Sequence, residues 1–185
     1  MENIQFFYYF KNACKEFDNE NYQDAINFFN LAIGIYPGSA ESYLRRGLAL
    51  LNSCSRRKDG SRPPFESNYY EDAKEDFKKS LELFNLDLKI DKNNPKLYLL
   101  RGIAKIKCAD DQGALEDFSL SIQKGLNNNS ALFNRALTYA SISKFNSAVR
   151  DFSRVIEIDP TDTSAYLRRS SCKHYLEDFD GALKD

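Results

Sequence analysis

The chain has 185 residues and a mass of 21.3 kDa, with 42% hydrophobic and 29% charged residues, which is enough apolar material for a folded core. A formal charge of −1 and a pI near 6.0 leave no global positive field, which argues against nucleic acid or an anionic membrane as the main partner. The longest apolar run near the start, Phe6 to Phe10, is too short for a secretory core, and no stretch approaches the roughly 20 apolar residues of a membrane span.

Taken in chain order, the sequence alternates two recurring patterns. The first is an aromatic or leucine followed three residues later by arginine and then glycine, alanine or serine: "YLRRG" from Tyr43, "YLLRG" from Tyr98, "LFNRA" from Leu132 and "YLRRS" from Tyr166, with a degenerate copy at Tyr9. These leading residues, 9, 43, 98, 132 and 166, are spaced by 34, 55, 34 and 34. The second pattern runs in phase with it: "YQDAINFFNLAI" from Tyr22, "YEDAKEDFKKSL" from Tyr70, "DQGALEDFSLSI" from Asp111, "FNSAVRDFSRVI" from Phe145 and "FDGALKD" from Phe179. Alanine, then phenylalanine at i+4 and Ser, Ala or Val at i+7, makes one helix face, and the small residue admits a neighbouring helix at close range. Each period therefore predicts two helices packed against one another.

The second period is longer by 21 residues. Counting from Ala73 to Ala114 predicts a second helix two turns longer than the others, since seven residues return nearly the same face. The remaining fourteen fall in a Ser-, Pro- and charge-rich loop, residues 52–68, with a small basic patch at Arg56, Arg57, Lys58 and Arg62. The expectation is an elongated second hairpin, a two-turn spur projecting from one edge with this loop at its tip.

Arg46, Arg101, Arg135 and Arg169 recur together with Asp76, Asp117, Asp151 and Asp185, while the first period has Asn12 and Phe28 instead. Joint presence and absence predicts a guanidinium–carboxylate bond between packed helices. In the second period the register is open, with either Asp76 or Leu83 opposite Arg46.

No Gly-rich phosphate loop, HExxH, GxSxG or calcium-loop pattern occurs, and no catalytic residue, metal site or cofactor is expected. His174 and Cys172 stand two apart and so face different directions on a helix. Cys14, Cys54, Cys108 and Cys172 form no pair and, with one histidine, no recognisable zinc site; reduced thiols in a cytoplasmic setting are expected.

The quoted motifs resemble the tetratricopeptide repeat, in which an aromatic, a small residue, Ala, Phe and a late Pro mark a 34-residue helix–turn–helix; Leu132, Ala136, Phe145, Ala148, Phe152 and Pro160 show it best. The resemblance implies an all-α, right-handed superhelical solenoid of antiparallel helix pairs. About 4.5 repeats in one domain, 1–185, would span approximately 6–39, 40–94, 95–128, 129–162 and an incomplete 163–185.

It also implies a non-enzymatic adaptor that binds a protein or peptide on a concave wall of first helices. The wall positions are Phe10, Leu44, Leu48, Leu99, Ile103, Phe133, Asn134, Leu137, Leu167 and Arg168, an apolar set suited to an amphipathic helix, with self-packing within the stack as the alternative use of the same residues. Read against the family's carboxylate clamp, only Asn134 and Arg168 match, with Leu99, Ile103 and Ser164 replacing the other three polar residues. Tight binding of an acidic chaperone tail is therefore not expected. Asp185 lies about seven residues into a helix. The apolar face there predicts self-association through that end or through the spur, or a longer protein, for instance an enzyme in which this stretch is a regulatory or substrate-positioning arm.

Overall fold

A computed structural model describes residues 2–54, 68–125 and 129–185, and the basic patch at residues 56–62 lies outside them. Among the described residues there are ten α-helices and no strand: α1 (Glu2–Asp18), α2 (Tyr22–Ile35), α3 (Ala40–Ser53), α4 (Tyr69–Ile90), α5 (Pro95–Lys107), α6 (Asp111–Gln123), α7 (Asn129–Ser141), α8 (Phe145–Ile158), α9 (Thr163–Tyr175) and α10 (Phe179–Lys184). The chain divides into two compact units, Met1–Ile90 and Asp91–Asp185.

In the first unit α1 packs on α2, α2 on α3 and α3 on α4. Ala25, Phe29 and Ala32 face inward from α2 without exposure, and Ala13 meets them from α1. The α3–α4 approach depends on Gly47: a Cβ there would stand 2.7 Å from the Phe77 ring, so nothing larger than glycine fits unless the ring moves.

The second unit repeats the arrangement three times, as α5–α6, α7–α8 and α9–α10, with α6 on α7 and α8 on α9 at the junctions. Ala114, Phe118 and Ala131 pack with Leu99 in one cluster; Leu132, Ala148, Phe152, Val155, Ala165 and Cys172 form the next. The inward alanines and phenylalanines are those of the repeating sequence pattern, spaced i, i+4 on the second helices.

Helix starts are set by side-chain caps. Ser39, Asn94, Asp110, Asp162 and Asp178 each accept a backbone N–H from the first turn of the helix that follows. The hairpin joints share another device: Glu20, Ala109, Ser143 and Glu177 all adopt φ near +60° (63°, 62°, 60° and 61°) at equivalent positions. The next residue's N–H then reaches back to the preceding helix, as Asp110 N does to Lys105 O at 2.9 Å.

The elongated second hairpin differs from the sequence expectation in where its length sits. Arg46 donates to Asp76, 30 residues away, whereas the other three arginines find their aspartates 16 residues away. The fourteen extra residues thus separate Arg46 from Asp76, and the two extra turns of α4 follow Asp76. They form the end of α4 that leads to Asp91, so among the described residues α4 has no two-turn extension on the side of the hairpin tip. The physical reason is the ion pair: a register with Leu83 opposite Arg46 would leave a half-buried guanidinium facing an alkyl chain.

Candidate functional site

The four periodic arginines of the first helices are engaged inside the stack and are not available to a ligand. Nε and Nη2 of Arg46, Arg101, Arg135 and Arg169 each clasp both oxygens of one aspartate, with Nε donating at 2.8, 2.7, 2.7 and 2.9 Å. The remaining Nη1 crosses to the preceding pair, from Arg46 to Asn30 (2.7 Å), from Arg135 to Ser119 (3.0 Å) and from Arg169 to Ser153 (2.9 Å). The hydrogen bond that Arg135 donates to Asp151 raises the Arg135 pKa further, although burial opposes it.

An aromatic ring lies beside each guanidinium. Tyr43, Tyr98 and Tyr166 supply it from three residues before the arginine; where Leu132 takes that place, Tyr139 supplies it from four residues after. These features hold the first helices in fixed register, which positions the surface between them.

The ten wall residues fall into three groups. Leu44 and Leu99 are buried, 1% and 8% exposed, and Leu99 packs on Ala114, Phe118 and Ala131. They are core residues, a correction to the expected wall: Leu99 is covered by residues of α6 and α7, whereas the same register is exposed at Leu167. Phe10, Leu48, Ile103, Phe133, Asn134 and Leu137 are half-buried. Phe133 meets Phe152 edge-on at 5.5 Å, and Asn134 donates to the Ser130 carbonyl at 2.8 Å. Leu167 and Arg168 are exposed, Leu167 to 67%.

In the second unit the first helices stand side by side, α5 touching α7 and α7 touching α9. Along this row of first helices lie half-buried Ile103 on α5, half-buried Phe133, Asn134 and Leu137 on α7, and exposed Leu167 and Arg168 on α9. Phe10, Leu48 and Leu44 belong to the first unit. A cleft of about 620 Å³ is lined by Ser170, Ser171, His174, Tyr175, Phe179, Ala182 and Leu183. Sequence reasoning overlooked Phe179 and Tyr175, whose role as lining shows only once α9 and α10 are paired. His174 meets Phe179 edge-on at 5.4 Å, and Tyr175 stacks on Phe145 at 4.8 Å. Cys172, behind this surface, is buried, which pushes its thiol pKa up while Arg168 partly offsets the effect.

Among the described residues, no three His, Cys, Asp or Glu side chains come together as a metal site. None of Cys14, Cys54, Cys108 and Cys172 forms a disulfide. No described helix is long and apolar enough to cross a membrane.

Residues 130–162 match the tetratricopeptide repeat model, which covers α7, α8 and the turn after them. The α7–α8 segment is a tetratricopeptide repeat. The fold of the chain is shared with solved structures of low sequence identity. YrrB, described as a tetratricopeptide protein with an unusual peptide-binding site, is 20% identical, with 95% of this chain and 80% of that one covered and a TM-score of 0.55. PilF of Pseudomonas aeruginosa is 14% identical over 99% of this chain and 74% of that one, with a TM-score of 0.66. The first tetratricopeptide domain of Spaghetti (RPAP3), solved with the HSP90 peptide SRMEEVD, is 17% identical over 75% and 93%, with a TM-score of 0.55. No curated protein matches the sequence.

Proposed function

We propose that this tetratricopeptide protein is a non-enzymatic interaction adaptor that holds a peptide or helix of a partner protein on the first-helix strip of its second unit. The observation that carries this reading is the contrast within that strip. The periodic arginines are consumed by internal aspartates, while Leu167 and Arg168 stand exposed on α9, which touches the helix that carries half-buried Phe133, Asn134 and Leu137. Such a strip offers apolar area with one cation and one amide, which suits an amphipathic segment. Peptide binding by YrrB and by the Spaghetti domain supports the class of ligand. The clamp-type contact to an acidic tail is not the expected mode, since Leu99 is buried and Ile103 and Ser164 offer no cation or amide.

The test is a paired pull-down from source lysate, read by mass spectrometry, comparing wild type with Leu167→Asp/Arg168→Glu. Both positions are exposed, so the variant keeps wild-type helicity by circular dichroism. Proteins retained by the wild type and lost by the folded variant are the expected outcome, and identical sets on the two baits would remove the strip as the binding face.

A further inference from the structure

The outward face of α1 differs from that of α3, α7 and α9. In α3, α7 and α9, which pack on α2, α6 and α8, the residue just before the leading position is Ser42, Ala131 or Ala165, and each is 0% exposed. Six residues after the leading position stand Ala49, Thr138 and Cys172, again buried, at 0, 2 and 3%. Ala131 clusters with Ala114 and Phe118 of α6, and Ala165 and Cys172 with Ala148 and Val155 of α8, so these small residues are where a preceding helix closes in.

In α1 the same two positions hold Tyr8 and Lys15. A tyrosine and a lysine there keep another helix from the close approach seen at the junctions inside the chain. Phe7 adds bulk where α3, α7 and α9 carry Glu41, Ser130 and Ser164. Ile4, Phe7 and Tyr8 are 76, 66 and 62% exposed, on the side of α1 opposite buried Ala13.

This apolar group is braced from within. Phe7 meets Phe6 edge-on at 5.5 Å and Tyr8 meets Tyr9 at 5.4 Å, while Phe6 and Tyr9 rest on Tyr36 and Phe28. Lys11 and Lys15 continue the same face one and two turns on, both exposed, before Asp18 ends it; Glu2 opens the helix at the other end. The two lysines stand one turn apart, roughly 6 Å along the axis, which complements two carboxylates spaced i, i+4 on a facing helix.

We propose that the outward face of α1, formed by Ile4, Phe7, Tyr8, Lys11 and Lys15, docks an acidic amphipathic helix of another protein, as a second contact apart from the strip on the second unit. Aromatic anchors supply apolar burial and the lysines set orientation and sign.

The probe is a fluorescein-labelled 16-residue synthetic helix with Leu at i, i+3, i+4 and i+7 and Glu at i, i+4 repeats, titrated with the full chain by anisotropy. Its counterpart with Lys in place of Glu and vesicles of phosphatidylserine and phosphatidylcholine form the other arms. The acidic peptide should bind, weaken as salt rises from about 50 to 300 mM, and lose about tenfold or more in affinity, about 1.4 kcal/mol, with Phe7→Ser/Tyr8→Ser and with Lys11→Glu/Lys15→Glu. Both variants alter exposed side chains and should retain wild-type helicity. Absent binding of the acidic peptide, equal binding of its lysine counterpart, unchanged affinity in the variants, or binding to vesicles alone would each overturn the proposal.

Discussion

The guanidinium–carboxylate clasp is the most repeated residue-scale feature of the chain, and its energetic meaning is asymmetric. In the Arg135–Asp151 pair the side chains are 16 and 4% exposed, and Arg135 also donates to Ser119. Two buried charges recover little more than their desolvation by meeting, but removing one strands the other. Asp151→Ala should cost about 3 kcal/mol, whereas Arg135→Met/Asp151→Leu, which removes both charges and keeps apolar volume, should cost about 1 kcal/mol. Chemical denaturation of these two variants measures this, and the single variants Arg135→Met and Asp151→Leu close the cycle with the double one. Equal losses in the single and double variants would show that packing, not the charge, dominates at this site. The clasp was legible in the sequence because both partners recur together. The tyrosine beside Arg135 was not, because Tyr139 sits outside the repeating position and replaces a contact that Leu132 cannot make.

At the scale of the helix pair, the hairpin joint is the same in four places although its residues differ. Glu20, Ala109, Ser143 and Glu177 share one left-handed conformation without sharing a residue type, so no glycine signal marked these turns in the sequence. For a residue with a Cβ that conformation costs about 1–2 kcal/mol. At Ala109 φ is 62°, and an alanine side chain offers no polar group to offset the cost. Glycine would remove the Cβ strain and lose part of the gain to unfolded-state entropy. Ala109→Gly should therefore stabilise the second unit by about 0.5–1 kcal/mol, visible as a higher thermal midpoint; a lower midpoint would mean that chain entropy outweighs strain here. The second hairpin shows the opposite limit of legibility. Residue counting found its surplus length but could not divide it between the two sides of Asp76, since seven residues preserve a helix face on either side. Arg46 decides the matter by demanding a carboxylate.

For the whole molecule, the number of stacked hairpins in each compact unit governs independent stability. A helical repeat buries its apolar face only against neighbours, and about three repeats are needed before burial outweighs ordering. Residues 91–185 hold three hairpins, α5–α6, α7–α8 and α9–α10, with two continuous clusters built around Phe118 and Phe152. Residues 1–90 hold two, and the second is interrupted by the long insertion between α3 and α4. The periodic alanines, phenylalanines and arginines made the helices and their pairing readable from sequence. They gave no sign of the division after Ile90, because the repeating pattern resumes on schedule at Pro95. Expressed alone, residues 91–185 should be helical by circular dichroism and melt in one cooperative transition, while residues 1–90 should show lower helicity per residue and a broader, lower melt. The intact chain should then show the 91–185 transition as its most stable step. A 1–90 fragment as cooperative as 91–185 would mean that the aromatic packing of α1 on α2, Tyr9 on Phe28 and Phe10 on Phe29, supplies by side-chain size what a third hairpin supplies by number.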